Sequence, residues 1–266
     1  MAARTVCLLS VGVLLTAVGA ASAQGPDPLS CHDRGSDDER FCEMRETTLP
    51  AGRDPIEVDG GPNGGIRVLG WDGRDIKVRA RVTAAARSDA RARELADGVE
   101  ITADGAIRAR GPRAGRREWW AVTFEVLVPR HANLDLRTTN GGIRVEDVRG
   151  RIRFATTNGG VRLAALAGDV AGRTTNGGVE VVLTGSRWDG EGLDAQTTNG
   201  GVRLLIPDGY SAHLEASTRN GGLSVDFPIT VQGRFSAKRM RGTIGTGGRE
   251  LELETVNGSI RLRKAG

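Results

Sequence analysis

The sequence predicts an all-β fold, a single-stranded β-helix (β-solenoid) of stacked Asn-Gly-Gly turns with one short helix near its N-terminal end. Three observations predict it. Seven of the eight asparagines (Asn63, Asn140, Asn158, Asn176, Asn199, Asn220 and Asn257) precede glycine, and all but Asn257 open an Asn-Gly-Gly triplet. The third and fifth residues after each are apolar (Ile143 and Val145 after Asn140, Val161 and Leu163 after Asn158) with a polar residue between, the two-residue period of a strand. Upstream, the second residue before each asparagine from Asn140 onward is threonine (Thr138, Thr156, Thr174, Thr197, Thr218, Thr255) and the sixth is apolar. One repeat is therefore a strand, a tight turn, a second strand and a variable return.

From the N-terminus, Arg4, the apolar run Val6 to Ala20 and the small residues Ala21-Ser22-Ala23 form the pattern of a signal peptide over residues 1–23, with cleavage expected after Ala23. The run is too short to span a bilayer comfortably, and no other segment approaches about 20 apolar residues, so no membrane span is expected after cleavage. Residues 24–48 are charged and poor in apolar side chains and carry Cys31 and Cys42. For an exported chain this even pair reads as a disulfide in preference to two free thiols; it would stabilise the fold by roughly 3 kcal/mol. Zinc is disfavoured, because the only nearby histidine is His32 and no Cys-x-x-Cys pair exists.

Residues 49–130 read as an N-terminal β unit, with strands at Ile66 to Val68, Ile76 to Val82, Val99 to Ala109 and Trp119 to Val128. In the last of these, Trp120, Val122, Phe124, Val126 and Val128 share a face. Residues 88–97 are the one convincing helix, with Ser88 as N-cap and Gly98 as stop, suited to covering the end of a repeat array. Residues 131–266 are the Asn-Gly-Gly solenoid, with asparagine spacings of 18, 18, 23, 21 and 37. The last gap has room for a degenerate copy around Gly242 to Gly248.

Asparagine and glycine both enter the left-handed backbone region, so Asn-Gly predicts a tight turn. Six or seven hairpins in series would need an unfillable barrel or long bare edges, whereas a solenoid needs neither. The consistent choice of asparagine over aspartate favours stacking too. Coils about 4.8 Å apart would let the amides of Asn140, Asn158, Asn176, Asn199, Asn220 and Asn257 form a hydrogen-bonded ladder in which aspartates would repel, with a parallel ladder of threonines.

Cys42-Glu43 with Arg45-Glu46, Asn63-Gly64-Gly65-Ile66 followed by Gly70-Trp71-Asp72, four Thr-Thr-Asn-Gly-Gly copies, and the ending from Gly242-Thr243-Ile244-Gly245 to Thr255-Val256-Asn257-Gly258-Ser259-Ile260 form a distinctive set. In these features the chain resembles a family of bacterial exported "putative adhesin" or beta-strand-repeat proteins of unknown function. The resemblance covers nearly all of the mature chain and implies a β-helix-like domain with no established activity.

No catalytic or cofactor motif is present, and the reading is non-enzymatic, with no cofactor. His32, His131 and His213 share no motif, and the acidic positions vary from copy to copy as on a solvated face. Calcium is disfavoured because Gly141-Gly142 is followed by Ile143, Arg144 and Val145, without a carboxylate. The formal charge of +4, which falls to +3 without Arg4, argues against a nucleic-acid partner.

Two surface features remain. Stacked Arg144, Arg162 and Arg203 would form a basic stripe interrupted by Glu180, the candidate contact for an anionic envelope polysaccharide, against the plainer reading of a soluble outer face. Trp71 and Trp188, each in Trp-Asp-Gly, are sugar-stacking candidates but read first as buried anchors. The leading function is an exported periplasmic or cell-surface protein binding an envelope polymer or surface protein. The alternatives are a structural, self-associating element whose solenoid ends stack, and a polysaccharide-active enzyme.

Overall fold

A computed structural model describes residues 29–31, 41–50, 52, 54–226 and 231–265. The expected signal peptide over residues 1–23 and much of the 24–48 segment, His32 included, lie outside the described residues. Within them, Cys31 and Cys42 are joined by a disulfide that ties Leu29–Cys31 to the first strand.

The chain opens with β1 (Phe41–Leu49), β2 (Ile56–Asp59), β3 (Ile66–Trp71) and β4 (Ile76–Ala85). Next come α1 (Asp89–Asp97), the short strands β5 (Glu100–Thr102) and β6 (Ile107–Arg110), and the long β7 (Trp119–Pro129). Ser88 caps α1 by accepting a hydrogen bond from the Arg91 amide, and Ala92, Leu95 and Ala96 turn into the core, as an amphipathic helix should. The single strand expected over Val99 to Ala109 is instead the antiparallel hairpin of β5 and β6, turned at Asp104-Gly105, where Gly105 has φ of 93°.

The repeats follow as pairs flanking each turn: β8 (Leu134–Thr138) and β9 (Ile143–Glu146), β10 (Arg149–Asn158) and β11 (Val161–Ala164), β12 (Ala167–Asn176) and β13 (Val179–Val182). They continue with β14 (Gly192–Asn199) and β15 (Val202–Ile206), then β16 (Ala212–Asn220) and β17 (Leu223–Val225). After β18 (Val231–Phe235) and β19 (Arg239–Ile244), the described chain closes with β20 (Glu250–Asn257) and β21 (Ile260–Lys264).

Strands before the turns join into a back sheet ordered β18-β19-β16-β20-β14-β12-β10-β8-β2-β6-β5. Strands after the turns join into a front sheet ordered β1-β4-β7-β3-β9-β11-β13-β15-β21-β17. Pairing through the repeats is parallel, and the inward alternate residues of both sheets form one apolar core with Leu136, Val145, Ala195, Leu204, Leu253 and Leu262 among its fully buried members. Among the described residues the architecture is all-β with one helix, its parallel sheets of the β-solenoid kind. β2 pairs with β8 and β3 with β9, so the N-terminal unit expected over 49–130 shares both sheets with the repeats.

Three expectations need correction. The region around Gly242 to Gly248 holds no degenerate coil. Gly242–Ile244 end β19, which pairs antiparallel with β16 and β18 near the end of the back sheet, and Gly245–Gly248 lie in the turn that follows. The coils also do not stack in chain order: β20 lies between β14 and β16, and β21 between β15 and β17. Finally, the turn glycines are not there for left-handed backbone, since no residue of the seven Asn-Gly-Gly or Asn-Gly-Ser triplets is among the positive-φ residues. Closeness is the cause: a Cβ on Gly141, Gly159, Gly177, Gly200 or Gly258 would fall 1.9–2.1 Å from the carbonyl oxygen of the matching glycine in the adjacent coil. The second glycine has more room, 3.6 Å at Gly160, and Ser259 occupies that place after Asn257.

The same approach explains the threonines. They lie in register, but each buried hydroxyl donates to a first-glycine carbonyl of the adjacent coil: Thr156 to Gly141 at 2.9 Å, Thr174 to Gly159 at 2.9 Å, Thr197 to Gly177 at 2.7 Å and Thr255 to Gly200 at 2.8 Å. A buried hydroxyl without such a partner would cost about 1–3 kcal/mol.

Candidate functional site

Outward residues of the front sheet are aligned by strand register into a row running the length of the stack. In spatial order it reads Glu46, Arg79, Glu125, Arg67, Arg144, Arg162, Glu180, Arg203, Arg261 and Ser224. Parallel pairing in register places successive members one strand spacing apart, about 4.8 Å. Arg144, Arg162 and Arg203 therefore share one stripe, with Glu180 between the last two.

The structure extends the stripe at both ends. Arg67 and Arg261 join it, although the long gaps after Asn63 and before Asn257 hide this in the sequence. Beyond Arg67 stands Glu125, only 1% exposed, which bridges Arg67 at 3.0 Å and Arg79 at 3.2 Å and accepts from the Leu29 amide at 3.2 Å. A buried carboxylate needs such partners. Its sequence signal is an acid at an outward position of β7, opposite the face shared by Phe124 and Val126.

Along the row, Glu180 pairs with Arg162 and, at 2.7 Å, with Arg203, while Arg144 leans 3.3 Å from Glu146. Arginines 67, 144, 162, 203 and 261, with Glu180, line a groove of about 780 Å³. Its floor is the second glycine of successive turns, Gly65, Gly142, Gly160, Gly178 and Gly201. The floor carbonyls are committed to the stack, as when Gly160 O accepts from Ile143 N at 3.0 Å and Gly178 O from Val161 N at 2.9 Å. Lacking side chains, the floor leaves the space beside the guanidinium groups open. Leu29 closes one end.

Beside the groove the turn asparagines form a hydrogen-bonded file. Each Nδ2 donates to the next Oδ1: Asn140 to Asn63 at 3.1 Å, Asn158 to Asn140 at 2.6 Å, Asn176 to Asn158 at 2.8 Å and Asn199 to Asn176 at 2.8 Å. Asn257 then donates to Asn199 at 2.7 Å and Asn220 to Asn257 at 2.8 Å. All donors point the same way along the stack.

The remaining candidates disperse. His131 lines a cavity of about 470 Å³ with Asp54, Asn133 and Arg149, and His213 lines another with Glu191, Arg241 and Arg249, its Nδ1 3.1 Å from Thr243 Oγ1. Trp188 is buried and donates to Gly168 O at 2.9 Å, whereas Trp71 is half-buried with the Lys77 ammonium 4.3 Å from its ring. Among the described residues no group of three or more His, Cys, Asp or Glu side chains is placed to hold a metal.

Perturbed carboxyls have local causes. A hydrogen bond from Arg153 holds Asp169 below the usual carboxylate range, and Arg130 does the same for Asp72 and Arg91 for Glu118. On the back sheet, burial and then the charges of Asp194, Glu215, Glu250 and Glu254 push Glu252 up. Burial also pushes the Tyr210 phenol up to about 12. No helix of the described residues is long and apolar enough to cross a membrane.

A family model described as Toastrack DUF4097 matches residues 54–263. Among solved structures, the chain is similar to a "putative cell adhesion protein" from Clostridium sporogenes ATCC 15579, at 10% identity over 85% of this chain and 100% of that one, with a TM-score of 0.45. It is also similar to a "putative lipid binding protein" from Parabacteroides distasonis ATCC 8503, at 11% identity, 85% and 97% coverage and a TM-score of 0.32. A third is a "putative adhesin" from Bacteroides fragilis NCTC 9343, at 9% identity, 85% and 98% coverage and a TM-score of 0.33. No curated protein matches the chain.

Proposed function

The chain belongs to the Toastrack DUF4097 family, and on that premise we propose that it is an exported, non-enzymatic cell-envelope protein whose front-sheet groove binds an extended anionic polymer. The observation that carries this reading is the row of Arg67, Arg144, Arg162, Arg203 and Arg261 along one groove, with Glu180 as the sole acidic side chain lining it among the described residues. A row of guanidinium groups at strand spacing suits a ligand with repeated carboxylate, phosphate or sulfate groups, because the planar fork of a guanidinium matches an oxyanion. Arg67, Arg144, Arg162 and Arg203 line the groove while pairing with Glu125, Glu146 and Glu180. Glu180 holds Arg162 and Arg203 in place and keeps the row from repelling itself. The turns act here as a repeating device: the coils of Arg67, Arg144, Arg162, Glu180 and Arg203 each contribute one groove-floor glycine and one row residue at the same height.

Export is supported by the signal-peptide pattern of residues 1–23 and by the Cys31–Cys42 disulfide, which belongs in an oxidising compartment. The non-enzymatic reading rests on the dispersal of the histidines and on local ion pairs that account for Asp72, Glu118 and Asp169.

The test is a binding screen against anionic envelope polysaccharides and lipopolysaccharide, with neutral glycans as controls. It compares the parent with a triple variant, Arg144→Ala, Arg162→Ala and Arg203→Ala. Binding by the parent that falls with rising salt and is lost in the folded variant is the expected result, since exposed charge contacts are screened over about 8–10 Å. A parent that binds no polyanion, or a variant that binds as well, sinks the proposal.

A further inference from the structure

The place of Glu250–Lys264 in the stack is unlike that of any other coil. β20 and β21 occupy a slot between β14–β15 on one side and β16–β17 on the other, and both walls come earlier in the chain. The first wall donates from Gly200 N to Asn257 O and from Val202 N to Ser259 O, both at 3.0 Å. At the second wall, Gly258 N donates to Asn220 O at 3.1 Å and Ile260 N to Gly222 O at 3.0 Å.

Side chains repeat the pattern. Thr255 reaches Gly200 O and Thr218 reaches Gly258 O, each at 2.8 Å, while Asn257 links the amides of Asn199 and Asn220. Leu251, Leu253, Ile260 and Leu262 are completely buried. Lys264 pairs with Asp208 at 2.6 Å and Arg263 with Asp226 at 2.9 Å.

The segment thus meets its surroundings through repeat-to-repeat contacts on two faces. Its link to the preceding β19 is Gly245–Arg249, a tight return in which Gly245 and Gly247 take φ of 58° and 82°. A Cβ on Gly245 would fall 2.4 Å from Ser211 Oγ. The closed arrangement therefore depends on a glycine hinge, while the contacts in the slot are made by the segment itself.

We infer that this slot is an exchange site for the Glu250–Lys264 segment of a second copy, so that two molecules can be joined by trading it. The partner is fixed by identity: the same residues from another molecule make every contact described above, and only the hinge changes, from a tight return to an extended crossing. Exchange of an identical element is an established low-cost route to dimers, and hinge loops govern it. The connected segment has a high effective concentration near its own slot, so the closed monomer dominates in dilute protein and exchange grows with concentration or with a disfavoured hinge. This inference does not depend on what the groove binds.

Leu205 and Arg263 stand directly opposite each other across β15 and β21. Full-length chains carrying Leu205→Cys and, separately, Arg263→Cys cannot close that cross-link within one molecule. Refolded together from denaturant and oxidised, they are expected to give a covalent heterodimer whose yield rises with protein concentration. The double variant L205C/R263C, which can close the link within one chain, is the positive control. Absence of the heterodimer while the control cross-links overturns the proposal. Independently, Gly247→Val is expected to double the solution mass while keeping the β-sheet spectrum; a folded G247V monomer at every concentration overturns it as well. Should that variant not fold, a labelled peptide of residues 249–266 refolded with the unmodified chain takes its place, with capture expected and its absence decisive against exchange.

Discussion

Along one edge of the stack the turn is Thr-x-Asn-Gly in every coil from Asn140 onward, and along the opposite edge the returns differ in sequence and, beyond the two-residue pair Asp147-Val148 and Ala165-Leu166, in length. The return between β9 and β10 is only Asp147-Val148, whereas that between β13 and β14 runs from Leu183 to Glu191 and buries Trp188. Backbone conformation divides the same way. Left-handed residues are absent from the Asn-Gly turns but present in the returns, at Asp147 (58°), Ala165 (51°) and Gly168 (105°). Two kinds of constraint are at work. A return satisfies its own local geometry and is free to vary. A turn must fit the turns above and below it, each first glycine lying where a Cβ would strike the adjacent carbonyl. Contact between copies, rather than turn conformation, makes the repeat a repeat.

The largest test of this distinction is Gly159→Ala. Its Cβ would lie 2.0 Å from Gly141 O, so a loss of about 3 kcal/mol or more is expected in denaturant titration, against less than about 1 kcal/mol for Gly160→Ser in the adjacent, roomier position. Equal losses would break the account of the turn edge. Next in size is the amide file. Asn158→Asp, with amide neighbours on both sides, should cost about 1–2 kcal/mol at neutral pH, and Asn63→Asp, at the end of the file, less. Identical melting-temperature losses at the two sites would remove the file from the energetics.

On the return edge the sign reverses. Ala165→Gly should stabilise by about 0.5 kcal/mol, because relief of the left-handed penalty outweighs the greater freedom of glycine in the unfolded chain. A destabilised variant would mean that Ala165 packing matters more than its backbone.

The smallest effect lies off both edges, at Glu252 on the back sheet. Its folded-state pKa is raised, so its contribution to stability is fully present below the ordinary carboxylate value and is lost as pH rises through the raised one. Glu252→Gln should therefore melt slightly higher than the parent at neutral pH, with the gap closing as pH falls below the carboxylate range. A gap independent of pH would mean that charge crowding is not the cause.

The legible parts of this chain were those set by period and pattern. The alternation after each asparagine places Ile143, Val145, Val161 and Leu163 in the core, where they are found. Ser88 and Gly98 bound the helix as expected, Ser88 through its capping hydroxyl and Gly98 with an ordinary right-handed backbone. Coil order was not legible, because in-register stacking makes every Thr-x-Asn-Gly coil an equally good neighbour for every other. Nothing local to Asn257 says that it lies between Asn199 and Asn220. The hairpin at Asp104-Gly105 did carry a signal, overridden by the apolar residues on either side. Of the candidate site, the register supplied Arg67, Arg261 and the buried Glu125, which lie too far apart in sequence to be grouped by spacing.

The two 18-residue intervals between Asn140, Asn158 and Asn176 have a further consequence. Each contributes one complete layer with both faces ready to meet a copy of itself, and neither touches the special arrangements that finish the two ends. The middle of the molecule is thus a ruler. Gaining or losing an 18-residue unit there changes the length of the groove by one strand spacing, about 4.8 Å, and leaves both terminal assemblies intact. The number of such units therefore sets the length of the groove.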